Sequence, residues 1–549
     1  MPSILFKENE LQRIVRKIPD GSTVIISGFN VSTAPEYILM ELYRSYEKTG
    51  HPRDLFIESD SLPASTGRGM DLICSKILES SDSGFIGGVF MPFLGWSKSL
   101  QRLVEDNVFP AYTCSIGTMA HLLREISGGR PGLLTKVGLG TFLDPRNDGG
   151  FLNEKARAEK RVRSELVSLR EEEFIFITAP KPSIGLIRGT TSDEMGNISM
   201  EKEGIYGTVF TIAQSVKACP NRGKVFCQVE RVARTGTINP KAVHVPGPLV
   251  DYVVVAPEKY TWQTGSIEFD PRISGGIIPP ERSISEPPGV LDVRSVIQRR
   301  AAIEMMRCVR NKNGPILANF GVGIPSEIPG VLERERVSDY VYATVEAGPW
   351  GGLPLAGEDF GVSIGPFAII PLPDQFNLYE GGIIDMAVLG FMQVDRFGNV
   401  NPSLLPGRTP GPGGFPVIAS GSPFTIFAGS FMAGKHDIQV REGKLEIVKE
   451  GETIKFVRDV YKVLFKGEYA VRGNKDITYV TERAVFRLTP KGILLDEVAP
   501  GIDIDRDILA NMEFRPVVPN DVRIMNPRIF RKGKVGLKQM LSGLRESSK

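Results

Sequence analysis

The sequence predicts an α/β protein in which two related open α/β halves are fused in one chain, and the main observation behind this is an internal echo. In the first half, Gly-Ser-Thr-Val-Ile-Ile-Ser-Gly-Phe-Asn (21–30) runs as an apolar strand into a glycine-containing turn. Pro35 and Glu36 then open the helical pattern Tyr-Ile-Leu-Met-Glu-Leu. The second half repeats the order with Gly-Pro-Ile-Leu-Ala-Asn-Phe (314–320), Gly-Val-Gly (321–323), Pro325, Glu327 and another apolar periodic run. A second pair supports the first. Asp193-Glu-Met-Gly-Asn-Ile-Ser199 matches Asp395-Arg-Phe-Gly-Asn-Val-Asn401, each a D-x-x-G-N turn leading into a β-prone stretch. The members of the first pair lie further apart than those of the second, so the first half should carry inserted material.

The remaining segments follow in order. The stretch Glu154 to Glu173 alternates Lys, Arg and Glu and suits a solvated helix. The Pro-rich segment from Pro279 to Pro288 reads as the boundary between halves, with a helix from about Ser295 to Arg310 behind it. Asp339 to Val345 is β-prone. The uncharged run Thr409 to Gly434 is long enough to span a bilayer, but its prolines and glycines make it turns and short strands. From Arg523 onward the chain is strongly basic and reads as a loose tail, or as an arm on another subunit.

Composition narrows the function classes. The 549 residues are 41% hydrophobic and 24% charged, the profile of folded, water-soluble domains. Lys and Arg number 66 against 64 Asp and Glu, so a net charge of +2 supplies no broad field for nucleic acid or an anionic membrane. The five cysteines (Cys74, Cys114, Cys219, Cys227, Cys308) form no CxxC pair, and the first residues lack a signal peptide's apolar run, so a reducing cytoplasm is expected. His51, His121, His244 and His436 are scattered and show no metal-ligand spacing. Gly429 to Lys435 has the spacing of a phosphate loop, but His436 stands where a magnesium-binding hydroxyl belongs. Gly321-Val-Gly323 lacks the third glycine of a dinucleotide fingerprint, leaving a tight turn suited to an anion or oxyanion.

Glu346 is the strongest single position. It stands where a predicted strand must end, just before Ala-Gly-Pro-Trp-Gly-Gly, and ligands of open α/β sheets bind at the carboxyl ends of strands. A carboxylate there can act as nucleophile or base. Position alone leaves open a helix cap or a pairing with Arg.

The motifs resolve this by resemblance. Thr344-Val-Glu346-Ala-Gly348, Gly351-Gly-Leu-Pro354 with Phe360-Gly361, Gly321-Val-Gly-Ile-Pro325, Gln375-Phe376, Gly381-Gly-Ile-Ile-Asp385 and Gln393-Val-Asp-Arg-Phe-Gly-Asn399 together resemble the class I coenzyme A transferases. The likeness is closer to the single-chain acetate/propionate (short-chain acyl) CoA-transferases. Gly138 to Arg146, Arg188 to Asn197 and Thr481-Glu-Arg-Ala-Val-Phe486 extend it over roughly residues 20 to 520.

The resemblance implies the CoA-transferase fold with its active site between the halves. It also implies Glu346 as a covalent nucleophile, exchanging CoA between short-chain carboxylic acids through an acyl-glutamyl anhydride and a glutamyl-CoA thioester. Coenzyme A is then substrate and covalent intermediate, with no metal and no permanently bound cofactor. The backbone amides of Val322 and Gly382, flanked by Gly323 and Gly381, are the implied oxyanion and CoA-binding positions, and Ile116, Trp350 and Phe376 are the expected acyl-pocket walls. The expected units are 1–285, 295–520 with the catalytic Glu, and a basic tail 521–549, in a homo-oligomer (dimer or tetramer) whose partners are acyl-CoA and a carboxylate. Three departures stand out: Ile116 replaces a Gln, Pro412 a Cys in Gly411-Pro-Gly-Gly-Phe415, and Ile383 a third glycine. The alternatives are a thioester hydrolase on the same scaffold and a non-catalytic CoA-binding subunit.

Overall fold

The computed structural model describes residues 2–279 and 291–542, so most of the expected boundary segment, Pro279 to Pro288, lies outside the described residues. Two sheets organise the chain. Among the described residues, the first sheet has eight strands, all parallel: β1 (Ser3–Leu5), β2 (Thr23–Ile26), β3 (Leu55–Ser59), β4 (Ile86–Phe90), β5 (Ala111–Tyr112), β6 (Ile184–Arg188), β7 (Lys224–Val229) and β8 (Tyr252–Val255), in the order β1-β8-β7-β6-β2-β3-β4-β5. The chain runs outward from β2 through β5, then restarts on the other side at β6. The crevice between β2 and β6 is a topological switch point, where such sheets bind ligands.

The second sheet repeats the plan. Its strands are β9 (Ile316–Phe320), β10 (Val341–Thr344), β11 (Pro349–Trp350), β12 (Ala368–Ile369), β13 (Met386–Leu389), β14 (Phe424–Ala428), β15 (Asp476–Val480), β16 (Ala484–Thr489), β17 (Gly492–Val498) and β18 (Arg523–Ile524). They lie in the order β12-β11-β10-β9-β13-β14-β15-β16-β17-β18, with the switch between β9 and β13. Both D-x-x-G-N segments fold alike. Asp193 Oδ1 accepts from the amides of Met195 and Asn197, and Asp395 Oδ1 from those of Phe397 and Asn399. Each turn's Asn carbonyl then holds a distant amide, Gly247 in one half and Gly467 in the other. Two related α/β halves are therefore present.

Helices close over the sheets where local chemistry starts and stops them. Helix α1 (Glu36–Thr49) follows Pro35 and ends at Gly50 in the left-handed region. Helix α2 (Ile116–Ser127) is capped by Ser115, whose hydroxyl accepts from the Thr118 amide. Helix α3 (Val293–Lys312) begins with a reciprocal Asp292–Ser295 cap and ends at left-handed Asn313. Helices α4 (Leu372–Glu380) and α5 (Phe415–Gly421) lie against α2 across the divide between halves.

Three sequence expectations are corrected. The charged stretch 154–173 is a helix only over Glu154–Glu159; Arg163–Leu169 and Glu172–Thr178 form an antiparallel hairpin. Its turn residues Arg170 and Glu171 both have positive φ, the two-residue geometry that matches strand twist. The 409–434 run contains the short helix α5 beside strand β14. The basic C-terminal segment is no loose tail as far as residue 542, because Met525, Ile529, Phe530, Val535 and Leu537 pack into the core around α3. The buried Glu335 carboxylate anchors it by accepting from the amides of Val535, Gly536 and Leu537 at 2.5, 2.9 and 3.0 Å.

Replacing Glu335 with Ala leaves those three amides without their acceptor and is expected to cost about 2 kcal/mol or more in urea unfolding. Limited trypsin digestion of that variant should cut first between Arg523 and Lys538.

Candidate active site

A cavity of about 310 Å3 opens between the carboxyl ends of the two sheets. The first half contributes Phe29 and Asn30 beyond β2, Ser61 beyond β3, Phe93 and Trp96 beyond β4, and Ile116 at the start of α2. The second half contributes Asn319 to Val322 at the end of β9, Glu346 beyond β10, and Leu389 to Phe391 at the end of β13. Phe360, Pro402, Ser403, the loop 411–414 and the first turns of α5 complete the wall.

Glu346 owes its place to a tight turn. After β10 the Val345 amide bonds the Pro349 carbonyl at 3.0 Å, and the Gly348 amide bonds the Val345 carbonyl at 2.9 Å. Gly348 has a φ of +126°, and a Cβ there would collide with the Ile370 carbonyl oxygen, so only glycine closes this turn. Glu346 is left projecting into the cavity. Among the described residues its carboxylate has no hydrogen-bond or ion-pair partner, and burial among apolar walls pushes its pKa up to about 7.

Beneath it lies a hydrogen-bonded polar network. The Tyr379 hydroxyl donates to Thr344 Oγ1 at 2.9 Å, and Asn319 Nδ2 donates to the Tyr379 hydroxyl at 2.9 Å and the Thr344 carbonyl at 3.2 Å. Both amide hydrogens of Asn319 are thereby used, so its free hydrogen-bonding capacity is that of an acceptor, Oδ1.

The loop 410–414 is held by backbone bonds to the other half. The Leu94 amide bonds the Pro410 carbonyl at 2.8 Å, the Gly413 amide the Pro92 carbonyl at 2.9 Å, and the Ile116 amide the Gly413 carbonyl at 3.0 Å. These contacts press Gly414 against the Glu346 carboxylate, and an added Cβ would collide with Glu346 Oε2 and lie 3.0 Å from Phe376 Cζ. Among the described residues, no hydrogen bond uses the Gly414 or Val322 amide, and both residues line the cavity.

The sequence-derived positions are distributed unevenly. Glu346, Val322 and Ile116 lie together in the lining, and Val322 is 48% exposed at its edge. Gly381 and Gly382 do not join them. They terminate α4 at the opposite, amino-terminal end of β13, where their amides bond the carbonyls of Asn377 and Tyr379 at 2.9 and 3.1 Å. The Gly382 amide is thus already engaged in ending a helix. Ile383, 58% exposed on the same turn, does not touch the cavity either. Gly323, with φ +91°, shapes the β9 turn behind Val322 without lining the cavity.

Trp350 sits on β11, its Nε1 donating to Gln375 Oε1 at 2.6 Å, and it does not reach the cavity. Phe376 is fully buried and backs Gly414 and Gly117 from below.

Residues that sequence reading passed over include Asn30, Asn319, Ser61, the ring walls and Gly414. Gly413-Gly414-Phe415 was the available signal for the last, and the internal echo for Ser61. Ile26 pairs with Ser59 in the first sheet as Asn319 pairs with Thr344 in the second. Two residues further, Ser61 and Glu346 occupy matching places, and both face the cavity.

Substituting Gly414 with Ala is expected to lower kcat/KM at least 100-fold, a larger effect than the modest fall in unfolding midpoint, because the new methyl overlaps the Glu346 carboxylate and only brushes Phe376. Steady-state kinetics beside thermal unfolding checks this.

Among the described residues, no helix is long and apolar enough to cross a membrane. A family model described as Coenzyme A transferase matches residues 8–256. Caffeate CoA-transferase of Acetobacterium woodii is 38% identical over 521 residues, covering 93% of this chain and 95% of that protein. Acetate CoA-transferase YdiF of Escherichia coli K12 is 35% identical over 521 residues, covering 94% of each. The crystal structure of the YdiF apoenzyme from Escherichia coli O157:H7 superposes with a TM-score of 0.86 at 33% identity, covering 97% of both chains. A second YdiF structure, a thioester complex with CoA, superposes with a TM-score of 0.85 at 32% identity over the same shares. With the echoing halves, the cavity between them and these likenesses over nearly its whole length, the chain belongs to the class I coenzyme A transferases and is an enzyme that transfers CoA.

Proposed function

We propose that this enzyme is an acyl-CoA:carboxylate CoA-transferase working by a ping-pong route through Glu346. The observation that carries the reading is an unpaired carboxylate, raised in pKa, in an apolar cavity beside two unused backbone amides. An ionised Glu346 oxygen attacks the thioester carbonyl, the C–S bond breaks, and CoA leaves as thiolate from an acyl-glutamyl anhydride. The thiolate attacks the glutamyl carbonyl, the first acid leaves as carboxylate, and a glutamyl-CoA thioester remains. A second carboxylate reverses both steps and departs as its own CoA ester. Every step is an acyl substitution, so no electrons are exchanged. That YdiF is described as a thioester complex with CoA supports the covalent route.

Each tetrahedral intermediate carries an oxyanion that needs preorganised donors, worth about 3 kcal/mol each. In this reading the donors are the amides of Val322 and Gly414, the latter replacing Gly382. Asn319 Oδ1 offers an acceptor to an amide N–H of the pantetheine arm. The apolar walls exclude water that would hydrolyse the anhydride, which favours transfer over thioester hydrolysis. Acyl-CoA and a carboxylic acid are the partners, and the reading extends to a homo-oligomer, dimer or tetramer, acting in the cytoplasm.

Incubation with acyl-CoA and borohydride, followed by peptide mass mapping, should show acyl-CoA-dependent reduction at Glu346. Glu346→Ala should lose transfer by at least 10,000-fold with an unchanged circular dichroism spectrum. Full activity in that variant would overturn the mechanism.

The raised pKa predicts a pH profile. The carboxyl is protonated and unreactive below about 7, so the single-turnover rate should climb about ten-fold per unit up to pH 7 and level above it. Stability carries the opposite sign. Between the ordinary value of 4.5 and about 7 the folded chain holds a proton that the unfolded chain has released. The stability of the natural chain relative to Glu346→Gln should therefore fall across that window and stay flat on either side, as read by urea unfolding at several pH values.

A further inference from the structure

We infer that the cavity selects an uncharged, apolar acyl group of about phenyl size over acetyl and over a dicarboxylic acyl group; this rests on the Glu346 reading above. The lining carries six phenylalanines, Phe29, Phe93, Phe320, Phe360, Phe391 and Phe415, together with Trp96. Its aliphatic remainder includes Ile116 at the start of α2 and Pro412 in the loop facing Glu346. Polar side chains are confined to Asn30, Ser61, Asn319, Ser403 and Glu346 itself. Among the described lining residues there is no Lys, Arg or His to receive a second carboxylate. A distal carboxylate would lie unpaired against rings and beside the negative nucleophile, which is unfavourable on both counts.

Size points the same way. An apolar cavity of about 150 Å3 accommodates benzene, and this one measures about 310 Å3. It has space for a ring together with the thioester and the near end of the pantetheine arm. An acetyl group leaves most of the wall unfilled next to a hydrolysable anhydride. A ring or long chain fills it, gaining about four-fold in rate constant for each methylene taken out of water.

One nearby cation tests the argument. Lys455 is buried with its Nζ 4.0 Å from the centroid of Phe391, outside the lining, and has no ion pair among the described residues. Phe391 therefore stands as wall between that amine and the substrate space.

The experiment uses the full chain and measures the second-order rate of glutamyl-CoA formation by intact mass with acetyl-, hexanoyl-, 3-phenylpropanoyl- and succinyl-CoA. Hexanoyl and 3-phenylpropanoyl donors should exceed acetyl at least 50-fold, with succinyl slowest. In Phe391→Leu the ratio of phenylpropanoyl to acetyl rates should shrink about ten-fold. Acetyl as the fastest donor overturns the inference and leaves the Glu346 mechanism standing. Succinyl as the fastest, with the preference lost in Lys455→Met, also overturns it and assigns acid recognition to the amine behind Phe391. Absence of labelling by every donor overturns the nucleophile reading and this inference together.

Discussion

Three backbone hydrogen bonds across the divide between halves set the geometry around Glu346 in this enzyme. Leu94 to Pro410, Gly413 to Pro92, and Ile116 to Gly413 tie a loop of the second half to two loops of the first. Backbone bonds have little slack, so they fix the position of Gly414 against Glu346 rather than merely bringing two surfaces together. Glycine is required because the register leaves no space for a side chain. Surrounding contacts stiffen the arrangement: Gly117 of α2 lies directly on Phe376, and Arg124 pairs with Asp374 at 2.6 Å. The site is shared between halves, and neither half alone contains it.

The second constraint is electrostatic. The Glu346 carboxylate is unpaired among the described residues and only partly exposed, at the wall of an apolar cavity. Desolvation raises its pKa towards neutrality; in the proposed route this strengthens the ionised form as a nucleophile and still leaves an appreciable fraction ionised at physiological pH. The cost of burying that group falls on the native state. Below it Tyr379, Thr344 and Asn319 bond one another, and Asn319 Oδ1 is left as an open acceptor among the described residues.

The related halves have diverged in use. Both place a residue two positions beyond the same strand pairing into the cavity, a serine in one half and the glutamate in the other. Both also repeat the Asx-turn within their D-x-x-G-N segments, down to the distant glycine amide whose hydrogen bond each Asn side chain accepts. A duplicated scaffold thus supplies two switch points facing one another, and a single carboxylate makes the pair asymmetric.

Sequence by itself determined the α/β class, the paired halves and the place of Glu346. These depend on local signals: apolar runs ended by glycine, turn chemistry that repeats, and a carboxylate at the end of a β-prone segment. The same local reasoning misjudged Arg170-Glu171, because helix-compatible charges also suit a solvated hairpin and the turn's positive φ is not written in residue type. Tertiary structure alone decided the rest. Gly382 and Gly414 are alike as sequence, yet one amide ends α4 and the other is left free beside the Glu346 carboxylate, since that depends on which carbonyl lies within reach. Trp350 turns to Gln375, while Phe93, Trp96 and Phe391 make the walls, and the basic C-terminal segment folds back onto Glu335. A cavity is formed by loops hundreds of residues apart, and its lining is settled by how the sheets meet rather than by any one segment's propensity.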